Sequence, residues 1–159
     1  MSSEDNKKAT APKASDSTLR GYSGYRMKRA FNVVQSDLAR VLKPFGLRMV
    51  TYSALAIIAD SSGLRQSELA RALDMERPNL VAIVDQLERK GWLQRNRVPS
   101  DRRAHALVLT DVGADLVRRA SEAVAEHDRQ AFSGLTDEEL QNLHRYLKVV
   151  EAKTGRSLT

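Results

Sequence analysis

Residues 66–109 constrain the fold more than any other part of the chain, because two short helical patterns are followed directly by two strand-like runs. In the first pattern Leu69, Ala70 and Leu73 form one apolar side, and a turn at 74–76 separates it from the second pattern. The inward residues of the second pattern recur at i, i+4 and i+7: Leu80, Val84 and Leu87. Two short helical patterns joined by a tight turn predict a helix-turn-helix.

The strand-like runs extend from Trp92 to Arg97 and from Ala104 to Leu109. The stretch between them, 98–103, combines a proline with three consecutive charged residues, which predicts a hairpin loop. A basic hairpin behind a helix-turn-helix is a wing, which reaches the minor groove of DNA while the second helix enters the major groove. The predicted fold is therefore mainly α with a small β-hairpin, a winged helix-turn-helix at about 51–110.

A helical stripe precedes this unit and predicts a helix that ends near Lys43, before Pro44. The apolar residues of this stripe are Met27, Phe31, Val34, Leu38 and Val41. An almost wholly apolar run from Thr51 to Asp60 predicts a second, buried helix with Thr51 near its cap.

Two further helices are predicted after the wing. Thr110 can cap a long helix, and Thr136 with Glu139 forms a capping box for the last one. The inward positions predicted for the long helix are Leu116, Ala120, Ala123 or Val124, His127 and Ala131. The last helix carries a stripe of Leu140, Leu143, Leu147 and Val150. The first and last parts, about 20–43 and 111–153, are thus left with apolar surface for a second copy of the chain.

Composition limits the chain to one domain with its own core, predicted at 19–159, since it has 159 residues of which 42% are hydrophobic. Residues 1–18 are polar and predict a disordered arm. The absence of cysteine excludes a disulfide framework, a thiolate metal site and a cysteine nucleophile. No apolar run reaches the roughly 20 residues that cross a bilayer, and the start lacks the apolar core of a signal peptide. We therefore expect a cytoplasmic protein with no membrane partner.

The net charge of +6 favours an anionic partner, and its distribution is uneven along the chain. Residues 65–103 carry nine basic and six acidic side chains, whereas 111–140 carry three basic and eight acidic ones. The basic segment coincides with the predicted helix-turn-helix and wing, so double-stranded DNA is the expected partner.

The residues expected to read DNA lie on the two short helices and in the wing. Arg77 can form a bidentate contact with guanine, and Asn79 can pair with an adenine edge or a phosphate. Glu76 either accepts from a cytosine amine or only caps the helix. The wing arginines suit a narrow minor groove, with Asp101 as their brace. The full predicted DNA-binding set is Gln66, Ser67, Arg77, Pro78, Asn79, Ile83, Arg102 and Arg103.

The combined pattern resembles the MarR family of bacterial transcriptional regulators from about Arg20 to Lys153. The similar blocks are QSELARAL at 66–73, ERPNLVAIVDQLERKGW at 76–92 and SDRRAHALVLTDVG at 100–113. The wing block is the most distinctive, and by resemblance Asp101 braces while Arg103 enters the minor groove. The recognition helix is similar to the SlyA-like branch, except that Ala82 stands where that branch has an arginine, so the operator is expected to differ at that position.

The resemblance implies an obligate homodimer that reads a palindromic operator with two recognition helices and two wings. Its first and last helices are expected to intertwine with those of the partner. The candidate residues of the dimer core are Phe31, Val34, Leu140, Leu143, Leu147 and Val150, although the same apolar periodicity would also serve a monomeric core.

The resemblance also implies a small-molecule effector, since members of the family commonly bind an anionic or aromatic compound that alters the spacing of the recognition helices. The candidate effector-binding residues are Tyr22, Tyr25, Arg26, Arg29, Met49 and Tyr52. Tyrosines beside cations suit an aromatic acid or an acyl-CoA, but the same residues would also serve as helix surface or as contacts to the DNA backbone. The first-helix region is similar to regulators of hydroxycinnamate catabolism that sense an aromatic acyl-CoA.

Two other function classes remain open at this stage. A constitutive or architectural DNA-binding protein would share every feature above except effector binding. A small enzyme is disfavoured, because His105, His127 and His144 have no nucleophile paired with them by sequence context and no metal-ligand spacing. His127 on an apolar stripe is expected to be a satisfied interior histidine. We expect no catalytic residue, no cofactor and no bound metal.

Overall fold

The structure is a computed structural model that describes residues 14–98 and 101–154. It divides into two compact units, one ending at Val33 and one beginning at Val34. Within the described residues the chain is mainly helical with a small antiparallel sheet, which confirms the predicted fold class. The first part of the predicted N-terminal arm, 1–13, lies outside the described residues.

The described chain contains six α-helices and three strands. The helices are α1 Ser23–Leu42, α2 Met49–Asp60, α3 Gln66–Ala72, α4 Arg77–Arg89, α5 Asp111–Ala131 and α6 Asp137–Thr154. The strands are β1 Leu64–Arg65, β2 Leu93–Val98 and β3 Asp101–Leu109. Short 3-10 turns at Leu19–Gly21 and Lys43–Phe45 precede and follow α1.

The core lies in the unit that begins at Val34 and collects the inward sides of α2, α3, α4 and the start of α5. Helix α4 contributes one continuous side, and Leu93 and Leu107 close the core from the sheet. The buried apolar residues are Leu42, Leu47, Ala54, Leu55, Ile58, Leu69, Ala70, Leu80, Ile83, Val84, Leu87, Leu93, Leu107, Leu116, Val117 and Ala120. Their burial fixes the orientation of α4 relative to α2 and α3.

The turn between α3 and α4 falls at the predicted position. Asp74 takes a left-handed backbone conformation with φ 47°, and the Met75 amide donates to the carbonyl of Ala70 at 2.9 Å. Pro78 lies in the first turn of α4, where its missing N–H removes no helical hydrogen bond. Beyond α4, Gly91 has φ 70° and allows the chain to turn into the wing.

The sheet has the order β1-β3-β2 with antiparallel pairing throughout. Leu64 pairs with Leu107 and Leu93 with Leu109, and the register shifts between Arg97 and Val98. The predicted hairpin is confirmed, but the predicted loop at 98–103 is too long, because β3 already begins at Asp101. Strand β1 was not predicted, since two residues are too short to show alternation.

The predicted helix caps at Thr110 and Thr136 are confirmed. The Thr110 hydroxyl accepts from the Gly113 amide at 3.1 Å, and that of Thr136 accepts from the Glu139 amide at 3.3 Å. Thr51 lies in the first turn of α2 and its hydroxyl accepts from the Arg48 amide at 2.9 Å. Hydroxyl acceptors at these positions satisfy amides that have no partner within the helix.

Of the inward positions predicted for α5, Leu116 and Ala120 are buried and Val124 packs against the core. Ala131 is exposed, which corrects its predicted inward position, because the core contacts of α5 come from its first half. Among the described residues, no single helix is long and apolar enough to cross a membrane. Only the bent pair of Ser23–Phe45 and Met49–Asp60 meets that length and composition together.

Helix α5 begins in close contact with the wing. The Thr110 hydroxyl donates to the carbonyl of Gly91 at 2.6 Å, and the Thr110 amide donates to the carbonyl of Trp92 at 3.2 Å. A Cβ atom placed on Gly113 would lie 1.8 Å from the same Trp92 oxygen. The absence of a side chain at Gly113 is therefore what lets α5 approach the wing backbone.

We expect Gly113→Ala to lower the free energy of unfolding by about 1–3 kcal/mol, because the new methyl group meets backbone that cannot move away locally. Urea denaturation of the purified protein measures the change. Gly134→Ala is the matched control, since a Cβ there has open space, and it should stay within about 0.5 kcal/mol of the original protein. Equal stability of the two variants would contradict the close contact.

Candidate nucleic-acid interface

The first turn of α4 is the most exposed part of the helix-turn-helix. Glu76 occupies the N-cap position, and the side chains of Arg77, Pro78 and Asn79 are all exposed. Glu76 makes no side-chain capping hydrogen bond, so its carboxylate is free of that task. The burial of Leu80 one turn later fixes this end of the helix against the core while its first residues face outward.

Ile83 was predicted to be exposed, and that prediction is wrong. Only 9% of Ile83 is accessible, and it belongs to the core cluster with Leu80 and Leu87. The reason is the width of the apolar stripe, since a core-facing helix buries an arc that takes in i+3 as well as i+4 positions. A contact of Ile83 with DNA bases is therefore withdrawn.

Val81 is the residue that sequence reasoning missed on the outward side of α4. Its side chain is 42% exposed, one turn after Arg77. An exposed valine on a recognition helix can contact the methyl group of thymine. Reading the stripe as a broad arc would have found it, because Val81 and Ala82 lie outside that arc together with the first turn.

The N-terminus of α3 lies beside the first turn of α4. A small cavity of about 170 Å³ is lined by Gln66, Ser67, Arg77, Leu80 and Val81. The side chains of Gln66 and Ser67 are both half-buried. Three residues of the predicted DNA-binding set are thus brought together by two different helices.

A cluster of charged residues that sequence reasoning did not single out connects α4 to the wing. Arg95 on β2 forms ion pairs with Asp85 and Glu88, which lie one turn apart on α4. The Arg95 side chain is 22% exposed, so these pairs are partly shielded from water. No sequence signal identifies the cluster, because the partners come from a helix and from the strand that follows it.

The tip of the wing is described only in part. Asp101, Arg102 and Arg103 belong to β3 by their backbone, but their side chains lie outside what the structure describes, as do Pro99 and Ser100 entirely. At the base of the tip Arg97 and His105 are paired across the strands, and both are exposed. The roles expected of Asp101, Arg102 and Arg103 stay predictions.

The effector candidates of the first helical region lie around Asp16. The Tyr25 hydroxyl and Arg20 Nε each donate to the carboxylate of Asp16 at 2.8 Å, and Arg29 pairs with it at 3.7 Å. The hydrogen bonds from Arg20 and then Tyr25 lower the pKa of Asp16 to about 2. Arg26 Nε donates to the carbonyl of Arg20 at 2.6 Å.

Tyr22 is 62% exposed. A cavity of about 330 Å³ nearby is lined by Tyr25, Lys28, Arg29, Asn32 and Val33. The carboxylate of Asp16 thus already occupies the Tyr25 and Arg29 groups that were expected to bind an anion.

The other two effector candidates lie in the unit that begins at Val34. The Tyr52 hydroxyl is 3.1 Å from that of Ser121, while Met49 lines a groove of about 810 Å³ at the start of α2. The groove contains two cations, Lys43 and Arg48, and no acidic residue. Its full lining is Gln35, Ala39, Lys43, Gly46, Leu47, Arg48, Met49, Val50, Ser53 and Leu73.

The predicted dimer residues differ in exposure within the single chain. Phe31 and Val150 are exposed, whereas Val34, Leu140, Leu143 and Leu147 are half-buried. Other large apolar residues of the terminal helices are also exposed: Met27, Val33, Tyr146 and Val149. The monomer therefore leaves apolar surface uncovered on both terminal helices.

His127 was expected to be a satisfied interior histidine, and its Nε2 contradicts this. Within the described part of the chain, Nε2 of His127 is a buried side-chain atom without a hydrogen-bond partner. The expectation failed because periodicity places the residue on the inward side of α5 but shows nothing of the polar atoms around it.

The sequence pattern of the MarR family matches residues 47–105, which run from the start of α2 into β3. A protein from Thauera aromatica named as a transcriptional regulatory protein for the hcr operon is 33% identical over 132 residues. The matched region covers 82% of this chain and 80% of that protein.

Two solved structures are similar over most of their length. One is a transcriptional repressor, CouR, bound to a 23-mer DNA duplex, with 33% identity and a TM-score of 0.83, and the match covers 88% of this chain and 99% of that one. The other is CouR from Rhodococcus jostii RHA1 bound to p-coumaroyl-CoA, with 27% identity and a TM-score of 0.76 over 83% of this chain and 93% of that one.

The two faces of α4 give a direct test of the corrected stripe. Ile83→Ala should lower the free energy of unfolding by about 2–4 kcal/mol, since it leaves a cavity in the core. Val81→Ala should change it by less than about 0.5 kcal/mol. Chemical denaturation of both variants measures the difference, and a larger loss for Val81→Ala would return Ile83 to the outward face.

Proposed function

Since the chain belongs to the MarR family of DNA-binding transcriptional regulators, we propose that it is a repressor released from a palindromic operator by a small aromatic or anionic effector. It is not an enzyme, because the family consists of regulators. We propose that it acts in the cytoplasm, where its DNA is accessible.

The observation that carries the proposal is the juxtaposition of the exposed first turn of α4 with the N-terminus of α3. Arg77, Pro78 and Asn79 project from an end of the helix that the core holds in place. Gln66 and Ser67 face the same small cavity as Arg77. Side chains of this kind at the start of a recognition helix suit base edges in the major groove, with the wing in the adjacent minor groove.

A palindromic operator follows from dimerisation. Regulators of the MarR family are dimeric, and a two-fold axis presents two copies of α4 to the DNA. We propose that Phe31, Val34, Leu140, Leu143, Leu147 and Val150 form the core of that dimer. The uncovered apolar side chains of both terminal helices support this assignment.

Repression is supported by the relative bound to a DNA duplex, which is a transcriptional repressor with 33% identity. The effector is supported by the second structure, a relative of the same name bound to p-coumaroyl-CoA. We propose an aromatic acid or acyl-CoA of this kind for the present chain. Release requires that the effector bind the DNA-free conformation more tightly than the DNA-bound one.

The groove at the start of α2 is the proposed binding site of the effector. Its two cations, Lys43 and Arg48, suit the phosphates of an acyl-CoA, and its apolar lining around Met49 suits an aromatic ring. At about 810 Å³ it falls in the size range of ligand pockets. Tyr52 remains a proposed contact. The first helical region, with Tyr22, Tyr25, Arg26 and Arg29, is the alternative binding site, and there Tyr25 and Arg29 are engaged by Asp16.

Arg103→Ala should lower operator affinity at least about tenfold, because it removes a guanidinium from the minor groove. The slope of log affinity against log salt concentration should decrease in magnitude by about one, because one cationic side chain near the phosphates is lost. Fluorescence anisotropy with a labelled operator over a salt series measures both quantities. Arg118→Ala is the control, since that arginine pairs with Asp115 and Glu122 on its own helix. An unaffected Arg103→Ala variant would remove the wing from the interface.

The effector is tested by titrating the protein–operator complex with p-coumaroyl-CoA, p-coumarate and free CoA. We expect the acyl-CoA to weaken operator binding more than either fragment, because only the complete molecule reaches both the apolar and the cationic parts of the groove. If no compound in a wider panel of aromatic acids and acyl-CoA esters changes the affinity, the protein binds DNA constitutively and the release mechanism is wrong.

Two matched variants locate the effector. Arg48→Gln removes a groove cation and should weaken acyl-CoA binding about tenfold in calorimetry without DNA, since a charge-assisted hydrogen bond is lost. Arg29→Gln removes a cation that Asp16 already pairs with and should change binding by less than about threefold. The reverse order of effects would place the effector at the first helical region instead.

A further inference from the structure

Arg95 holds two helices of the DNA-reading unit from one position on the wing. Its ion pairs with Asp85 and Glu88 connect β2 to α4. The side-chain amide of Gln66 also faces Arg95. When its oxygen is the end turned toward the guanidinium, that oxygen accepts from Arg95 Nε at 2.9 Å and from a terminal nitrogen of Arg95 at 3.1 Å. Gln66 is the first residue of α3, so one guanidinium on β2 contacts side chains of two helices, α3 and α4.

The guanidinium determines which end of the Gln66 amide faces it. Arginine has five N–H donors and no acceptor, so only the amide oxygen can be directed toward Arg95. The NH₂ group of Gln66 must then point the other way. An unrestrained glutamine can rotate its amide and present either an acceptor or a donor, and Arg95 removes the first of these two states.

The side chain of Gln66 belongs to the surface proposed to contact DNA. Gln66 lines the same cavity as Ser67 and Arg77, at the start of α3. The groups on DNA that accept hydrogen bonds are phosphate oxygens and the acceptor positions of base edges. A glutamine that is fixed as a donor matches these groups and does not match the amino groups of adenine or cytosine.

We propose that Arg95 is a positioning residue for DNA recognition, which fixes Gln66 as a hydrogen-bond donor to an acceptor on the operator. The inference rests on the proposed DNA contact of Gln66. Arg95 itself touches no DNA in this account, because its guanidinium is directed at Asp85, Glu88 and Gln66. Strand β2 of the wing thus orients a side chain at the start of α3, in addition to leading to the arginines proposed to enter the minor groove.

The first test separates the two ends of the amide. Gln66→Glu retains an oxygen for Arg95 but replaces the NH₂ donor with a second oxygen. It should keep the thermal unfolding temperature at or above that of the original protein and lower operator affinity about tenfold. Gln94→Glu is the matched control, because Gln94 is exposed on the same strand as Arg95 and undergoes the same change of charge. We expect it to lose less than about threefold. If both variants lost operator affinity equally, the added negative charge alone would explain the loss, and the proposal would be overturned.

A double-mutant cycle then tests whether Arg95 acts through Gln66. Arg95→Lys keeps the positive charge but loses the planar fork that contacts three side chains together. It should weaken operator binding in the original protein and have little further effect in the Gln66→Leu background. If Arg95 served only to hold α4 through Asp85 and Glu88, Arg95→Lys would lower operator affinity equally in both backgrounds. That result would overturn the proposal.

Two further outcomes separate the inference from the function on which it rests. Wild-type affinity for Gln66→Leu would show that Gln66 makes no DNA contact, and the inference would fall while the regulator proposal stands. Failure of the unaltered protein to bind any operator duplex would instead contradict the proposed function.

The choice of DNA identifies the acceptor. If Gln66→Leu weakens binding to operator and to an unrelated duplex alike, the acceptor is a phosphate oxygen, whereas weaker binding to the operator alone identifies a base edge. Both results support a donor role for Gln66.

Discussion

Burial of one side of α4 in the core is the constraint on which the candidate interface depends. Leu80, Ile83, Val84 and Leu87 are all nearly inaccessible, so the helix cannot rotate about its axis without exposing them. Fully burying each such side chain contributes on the order of 1.5–3 kcal/mol, which is large compared with any single surface contact. The direction in which Arg77, Asn79 and Val81 point is therefore set by the side of the helix that never meets DNA.

The sequence predicted what local chemistry controls. The ends of α1 and α4 follow from a proline and a glycine, and the starts of α5 and α6 from Thr110 and Thr136, because each of these acts on backbone groups within a few residues. Ile83 was misplaced because its position depends on how wide an arc the neighbouring helices cover. Strand β1 and the short hairpin loop depend on pairing with distant residues and leave no local pattern.

The contacts of Asp16 and Arg95 could not be predicted for a related reason. Each is a meeting of polar groups from different turns or elements, and a charge in a sequence does not show which partner it faces. Asp16 reads as one acidic residue in a polar tail, yet it engages Arg20, Tyr25 and Arg29. The residue types in a candidate anion site are thus visible in the sequence, while their occupation by an internal carboxylate is visible only in the fold.

The acidic residues of α4 illustrate how the fold pairs charges that appear only as a mixture in the sequence. Carboxylates on a helix that enters a groove would repel phosphates and weaken binding, and α4 carries two beyond its N-cap, Asp85 and Glu88. Both are paired with Arg95 on β2, which offsets one of the two negative charges, at a distance from the exposed first turn. The exposed carboxylate of Glu76 stays at the start of the helix beside Arg77, so a count of charges along 65–103 does not describe the charge of that first turn.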